Sequence, residues 1–167
     1  LTFDAGAAAI ARAGDHTAIL RVLSNDPHAF SVDVPITLHV VGPELSMLNM
    51  PRYVGRKAAG PVNFKSNGLA IAATAFSVDF DERCLHFDPA DADGNGIPDG
   101  IKLLTPPGFE LVARTNISDV HREIDLFIGD LTPPLTALPD GALVTIDLQA
   151  SCQPTTTPQP VRVGFGT

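Results

Sequence analysis

Hydrophobic and polar residues alternate along much of this 167-residue chain, and that pattern predicts β-strands. In 30–41 and 142–150, aliphatic residues occupy every second position through most of each segment. A period of two places apolar side chains on one face of a strand and polar ones on the other. Short clusters of Gly, Pro, Asn and Asp separate the alternating segments and are typical of turns. We therefore predict an all-β protein.

Two strands are predicted before a domain boundary near Gly42-Pro43, at 17–24 and 30–41. Further strands are predicted after it, at 45–50, 62–66, 70–80, 84–87, 101–104, 109–115, 124–130, 142–150 and 161–165. Strands at this spacing are typical of a β-sandwich, and we expect a jelly roll or a related topology. Within 70–80 the apolar positions change parity, which predicts either a bulge near Ala75 or burial of both faces.

The segment 1–43 is too short to form an independent core from two or three strands. We therefore expect 1–43 to be a partial β domain and 44–167 to be a β-sandwich domain. Either the chain is a fragment, or the strands within 17–41 pair with another sheet. Because an exposed hairpin is a template for strand addition, homo-oligomerisation through 17–41 is one expected outcome.

Acidic residues outnumber basic ones, 19 to 11, which gives a formal net charge of −8. This balance argues against binding to nucleic acid or anionic membrane and is compatible with a cation ligand. No apolar run approaches the roughly 20 residues of a transmembrane helix, so no membrane span is expected. Cys84 and Cys152 are compatible with one disulfide, which would imply an oxidising compartment, although two buried thiols would look the same in sequence.

The sharpest chemical motif is the segment DADGNGIPDG. Asp91, Asp93 and Asn95 occupy positions 1, 3 and 5 of an EF-hand-like calcium loop. The backbone carbonyl of Ile97 would be the ligand at position 7, and Asp99 would be the ligand at position 9. Calcium binds six to eight hard oxygens, and alternate residues of a curled loop can supply them. The alternative is a solvated turn, since Asp, Asn and Gly are turn residues in any case.

The motif departs from an EF-hand at two points. Lys102 stands where an EF-hand loop has its bidentate Glu at position 12. The segment 79–90 has the pattern of a strand, where an EF-hand has a helix. We therefore predict a calcium loop inserted between strands, with Asp88 or water supplying the remaining oxygens. The ion would have a structural role.

Motifs of the common catalytic sites do not occur in the sequence, which has no Gly-Xaa-Ser-Xaa-Gly elbow, no Walker loop and no pair of histidines at metal-ligand spacing. Asp79 and Asp81 offer a pair of carboxylates that glycoside hydrolysis could use. A solvated strand face explains the same pair more simply. We therefore expect a protein that is not an enzyme.

Two parts of the chain resemble known families. The turn Ser24-Asn25-Asp26-Pro27, followed by the strand VPITLHV, resembles the C-terminal half of an immunoglobulin-like repeat of bacterial surface proteins. The stretch from Leu45 to Gly166 resembles a cohesin module of the bacterial cellulosome type, through the segments FKSNGLAIAATAFSVDFDERCLHFDP, DADGNGIPDG and PPLTALPDGALVTIDLQAS. The second resemblance implies a nine-stranded jelly roll that binds protein, often a dockerin module on a secreted enzyme.

Together, these expectations describe a non-catalytic bacterial module, extracellular or on the cell surface, that is stabilised by structural Ca²⁺ and mediates attachment or assembly. Its partner would be a dockerin-like module. The alternative is a structural subunit of a surface layer or extracellular filament, in which 17–41 exchanges strands with a neighbouring subunit.

Overall fold

A computed structural model describes residues 13–23, 25, 28, 30–47, 54–116, 122–152 and 163–165. The chain divides into two compact units, Leu1–Pro43 and Glu44–Thr167. All helical or extended structure in the described residues is β-strand, so the predicted all-β class is confirmed. Those residues contain no helix, and therefore none that is long and apolar enough to cross a membrane.

The strands follow the alternating segments of the sequence. The first unit contains β1 (Gly14–Leu23) and β2 (Ser31–Val40). The second unit contains β3 (Glu44–Met47), β4 (Lys57–Lys65), β5 (Ala73–Phe80), β6 (Leu85–Phe87), β7 (Ile101–Leu103), β8 (Glu110–Asn116), β9 (Arg122–Gly129), β10 (Gly141–Ala150) and β11 (Val163–Phe165). Each predicted strand overlaps one of these. The parts of the predictions at 24, 48–50 and 161–162 lie outside the described residues, as does most of the predicted turn at 24–27.

The first unit contains an antiparallel pair in which Gly14 lies opposite Val40 and Leu23 lies opposite Ser31. Side chains alternate between the two faces of such a pair, so the even-numbered positions form a mainly apolar face and the odd-numbered positions a mainly polar one. On the polar face the Arg21 guanidinium donates two hydrogen bonds to the Asp33 carboxylate, at 2.7 and 2.8 Å.

The second unit contains two antiparallel sheets that share one core. The first sheet has the order β3-β4-β10-β6, with β7 also paired to β10, and the second has the order β11-β5-β9-β8. Val62 and Ile146 of the first sheet and Val78 and Ile124 of the second are all completely buried in a single apolar cluster. Two sheets that bury one core between them are consistent with a β-sandwich.

Of the two alternatives for 70–80, the bulge near Ala75 is not found in the pairing of β5 with β9, and a shift of register occurs in another strand. The pairing of β5 with β9 is continuous from Ala73 to Phe80, so Ile71 lies before the strand while Ala73 and Ala75 lie within it. In β10, the register against β4 shifts between Ala142 and Val144. An extra residue in one strand interrupts the alternation of faces, which explains why the adjacent Leu143 and Val144 are both fully buried.

A disulfide joins Cys84, which precedes β6, to Cys152, which follows β10. Their Cα atoms are 4.5 Å apart, within the range that a disulfide spans. The adjoining backbone is already paired, because Ser151 N donates to Cys84 O at 2.9 Å and Leu85 lies opposite Ala150. The bridge therefore closes the end of a ladder that the two strands have formed.

Candidate metal centre

The acidic motif lies in the loop 88–100, between β6 and β7. Both strands pair with β10, where Phe87 lies opposite Leu148 and Ile101 lies opposite Ile146. The two ends of the loop are therefore held side by side on the same strand, and the residues between them must leave the sheet and return to it.

Backbone contacts close this loop on itself. Asp99 N donates to Ala90 O at 2.8 Å, and Asp147 N of β10 donates to Gly100 O at 2.8 Å. Gly94 and Gly96 have φ angles of 71° and 83°, a left-handed conformation that side-chain-bearing residues rarely adopt. The sequence therefore folds locally into a tight curl because glycine occupies both positions that need it.

Three carboxylates of the motif lie close together at the curl, where Asp93 and Asp99 are exposed to solvent. Asp91, Asp93 and Asp99 each place one carboxylate oxygen so that all three atoms lie within 4.8 Å of one another. Oxygens that share one Ca²⁺ at 2.3–2.6 Å can be at most about 5 Å apart. The separation and the hard-oxygen chemistry of this donor set therefore fit a divalent cation of that kind.

Asp91 is the most enclosed of the three carboxylates and the one most tied to the backbone. Its carboxylate accepts the N–H of Gly96 at 2.7 Å and the N–H of Asn95 at 3.1 Å. These donors, with the Gly96 N–H as the largest contribution, hold the pKa of Asp91 below its ordinary value. The carboxylate is therefore ionised at neutral pH, which a cation ligand requires.

The other two predicted ligands, Asn95 and Ile97, lie in the same curl. The Asn95 side chain donates to Asp93 Oδ2 at 2.9 Å, and its Oδ1 accepts the N–H of Ile97 at 2.7 Å. The Ile97 side chain packs against the core and anchors the loop to the sandwich. Asp88, the further ligand that the sequence suggested, instead forms an ion pair with Lys57 at 3.1 Å.

A cavity of about 440 Å³ adjoins the curl. Its polar side includes Asp93, Asp99 and Lys102, and its apolar side includes Phe109 and Leu111. No pattern in the sequence predicts this cavity. Leu111 belongs to β8, in the other sheet, and Phe109 immediately precedes that strand, so no local pattern shows that they would meet the acidic loop.

Comparison with protein-family models finds no match to this chain, and a search of curated proteins finds no relative. The resemblances to a cohesin module and to an immunoglobulin-like repeat therefore stay predictions from sequence motifs.

Proposed function

We propose that Glu44–Thr167 is a calcium-stabilised protein-interaction module of the cohesin-like type, with jelly-roll topology and no catalytic role. The observation that carries this proposal is the convergence of Asp91, Asp93 and Asp99 in a loop fixed at both ends to one core strand. The disulfide between Cys84 and Cys152 supports a place outside the bacterial cell or on its surface, because such bridges persist in oxidising compartments.

In this proposal the carboxylates of Asp91, Asp93 and Asp99 hold the ion, together with the side-chain oxygen of Asn95 and the backbone carbonyl of Ile97. Bound calcium would supply positive charge at the point where the three carboxylates repel one another. The ion would thereby fix the loop between β6 and β7 and stabilise the module. It would take no part in a reaction.

Calorimetric titration of the metal-stripped protein with CaCl₂ tests this role. We expect heat of binding in the wild type and its loss in Asp91→Ala and Asp93→Ala. Asp79→Asn is the matched control, because it also removes a negative charge but lies on β5, outside the acidic cluster. Absence of binding in the wild type, or equal binding in Asp93→Ala and Asp79→Asn, would contradict the proposal.

The interaction role has its own test, in which immobilised protein is titrated with purified dockerin modules. We expect saturable binding to at least one dockerin class. If no dockerin class binds to protein that still unfolds cooperatively on heating, the result would argue against a cohesin-like module. The calcium result would be unaffected.

A second candidate function is that of a structural subunit in a surface layer or filament, with 17–41 pairing to a neighbouring subunit. The observation that favours it is the exposure of apolar side chains on β1, where Ile19 is 69% and Leu23 is 67% accessible. Exposed apolar strands promote association. Light scattering over a range of protein concentrations tests it, and a monomer at every concentration would contradict it.

A further inference from the structure

The sheet of the first unit has two outer edges that are not chemically equivalent. Among the residues that the structure describes, β1 and β2 pair only with each other. An isolated pair of strands is marginally stable in water, and three or more strands with one apolar face are needed for independent stability. Addition of further strands at an outer edge would meet that need.

The outer edge of β2 is a poor template because of Pro35, which lies opposite Ile19 in the middle of the ladder. A proline within a strand is accommodated where its nitrogen faces away from the neighbouring strand. Pro35 therefore leaves the outer edge of β2 without a donor at its centre. β1 contains no proline, so its outer edge has its full set of donors.

Charges on β1 select a partner and a register for that edge. Asp15 and Arg21 lie on the same face of the strand. If two copies of β1 pair antiparallel about a two-fold axis at Ala18, Asp15 of each copy lies directly opposite Arg21 of the other. An axis at Asp15 or at Arg21 would instead place like charges opposite each other, which is unfavourable.

Arg21 can make this additional contact without giving up the one it has. Its two hydrogen bonds to Asp33 use Nε and Nη2, and a guanidinium carries five N–H donors. The remaining donors are available to a carboxylate on the other side of β1.

We infer that the outer edge of β1 binds β1 of a second copy of this chain, antiparallel about Ala18, to form a continuous sheet in the order β2-β1-β1-β2. This pairing rests on the strand-mediated assembly proposed above for 17–41, and it specifies the edge and the register. Directly opposed residues share a face, so the apolar faces of the two hairpins, including Leu20 and Val32, become one surface.

Matched proline substitutions test which edge is used. Thr17 lies opposite Thr37, two positions from the pair of Ile19 and Pro35. Because hydrogen-bonded and non-hydrogen-bonded pairs alternate along the ladder, the N–H groups of both threonines point outward, as the Pro35 nitrogen does. We expect a dimer by light scattering for the wild type and for Thr37→Pro, and a monomer for Thr17→Pro. Far-ultraviolet circular dichroism of both variants checks that the strands remain folded.

Cysteine cross-linking tests the register. The two native cysteines are joined to each other, so an introduced cysteine is the only free thiol. Ala18 would face its own copy in a non-hydrogen-bonded pair, where Cα atoms are about 4.5 Å apart, close enough for a disulfide. In a glutathione buffer, Ala18→Cys is expected to form a covalent dimer. Ile36→Cys, at the position opposite Ala18 in the hairpin, is expected to form no covalent dimer in the same buffer, and denaturing gels without reducing agent distinguish the two results.

The outcomes separate the inference from the function on which it rests. An oligomer that persists in Thr17→Pro, or equal cross-linking of Ala18→Cys and Ile36→Cys, overturns pairing through β1 but leaves strand-mediated assembly standing. A wild-type protein that is monomeric at every concentration overturns both.

Discussion

At the scale of single residues, Asp130 shows how one carboxylate organises a loop. It follows β9 and is only 7% exposed. Its oxygens accept the N–H groups of Thr132 at 2.9 Å and Thr136 at 2.7 Å, which folds 130–136 around the side chain. The sequence gives no sign of this role, because an Asp next to a Pro-rich segment looks like an ordinary solvated turn residue.

The hydrogen bonds to Asp130 predict a dependence of stability on pH. Donation by Thr132, followed by that of Thr136, holds the pKa of Asp130 below its ordinary value. The unfolded chain therefore binds a proton more readily than the folded one, and the stabilisation is complete at neutral pH and lost as the pH falls below about 4. We expect Asp130→Asn to lower Tm by a few degrees at pH 7 and to flatten the acid-side decline of Tm. A decline of Tm with pH that is identical in the two proteins would contradict this role.

Gly129 gives a second prediction at this scale, because a side chain there has no space. A Cβ atom at this position would lie 2.6 Å from the Ala73 Cβ and 3.0 Å from the Phe127 ring. We expect Gly129→Ala to cost about 1–3 kcal/mol of stability, as overpacked sites do. Ala73→Gly in the same chain removes the closest contact and should recover part of the loss in urea denaturation. If Gly129→Ala unfolds at the same urea concentration as the wild type, the space between β5 and β9 is large enough for a Cβ atom, and the prediction is wrong.

At the scale of strands, each strand in the described residues overlaps a predicted one, but the ends of the strands depend on neighbours that lie far away in sequence. β4 begins at Lys57, before the predicted start at 62. Gly60 and Pro61 are residue types that usually interrupt a strand, so the sequence does not indicate this longer strand. Pro61 nonetheless lies within the strand, opposite Thr145 of β10. A proline is tolerated within a strand where its nitrogen does not face the paired neighbour, and no local sequence pattern shows that Pro61 meets this condition.

The disulfide is the element-scale feature with the largest predicted energetic effect. It closes a loop with a sequence separation of 68 residues. In the loop-closure model such a bridge reduces the entropy of the unfolded chain and thereby raises its free energy by about 4 kcal/mol. We expect the double variant Cys84→Ser/Cys152→Ser to lose about 2–5 kcal/mol in denaturant unfolding, and a reducing agent to have no further effect on it. Equal unfolding midpoints for the oxidised wild type and the double variant would contradict a stabilising bridge.

At the scale of the whole molecule, the sequence predicts the class of fold and the acidic loop but not the pairing of strands. β10 is near the C-terminal end of the chain, yet it lies between β4 and β6 at the centre of its sheet and also pairs with β7. Neither alternation nor turn residues specify such non-consecutive neighbours. For the same reason, spacing could place Asp91, Asp93 and Asp99 in one loop, whereas the ion pair of Asp88 with Lys57 and the cavity beside the loop depend on residues that lie far away in sequence.

Thermal unfolding with and without calcium most directly tests the proposal that a calcium ion in the loop between β6 and β7 stabilises the second unit. An ion that binds only the folded state adds about 2.7 kcal/mol when its concentration is 100 times the dissociation constant. We predict that saturating CaCl₂ raises Tm relative to EDTA in the wild type and in Asp79→Asn, and that Asp91→Ala and Asp93→Ala show no increase. A wild-type Tm that is the same in EDTA and in saturating calcium would contradict the claim.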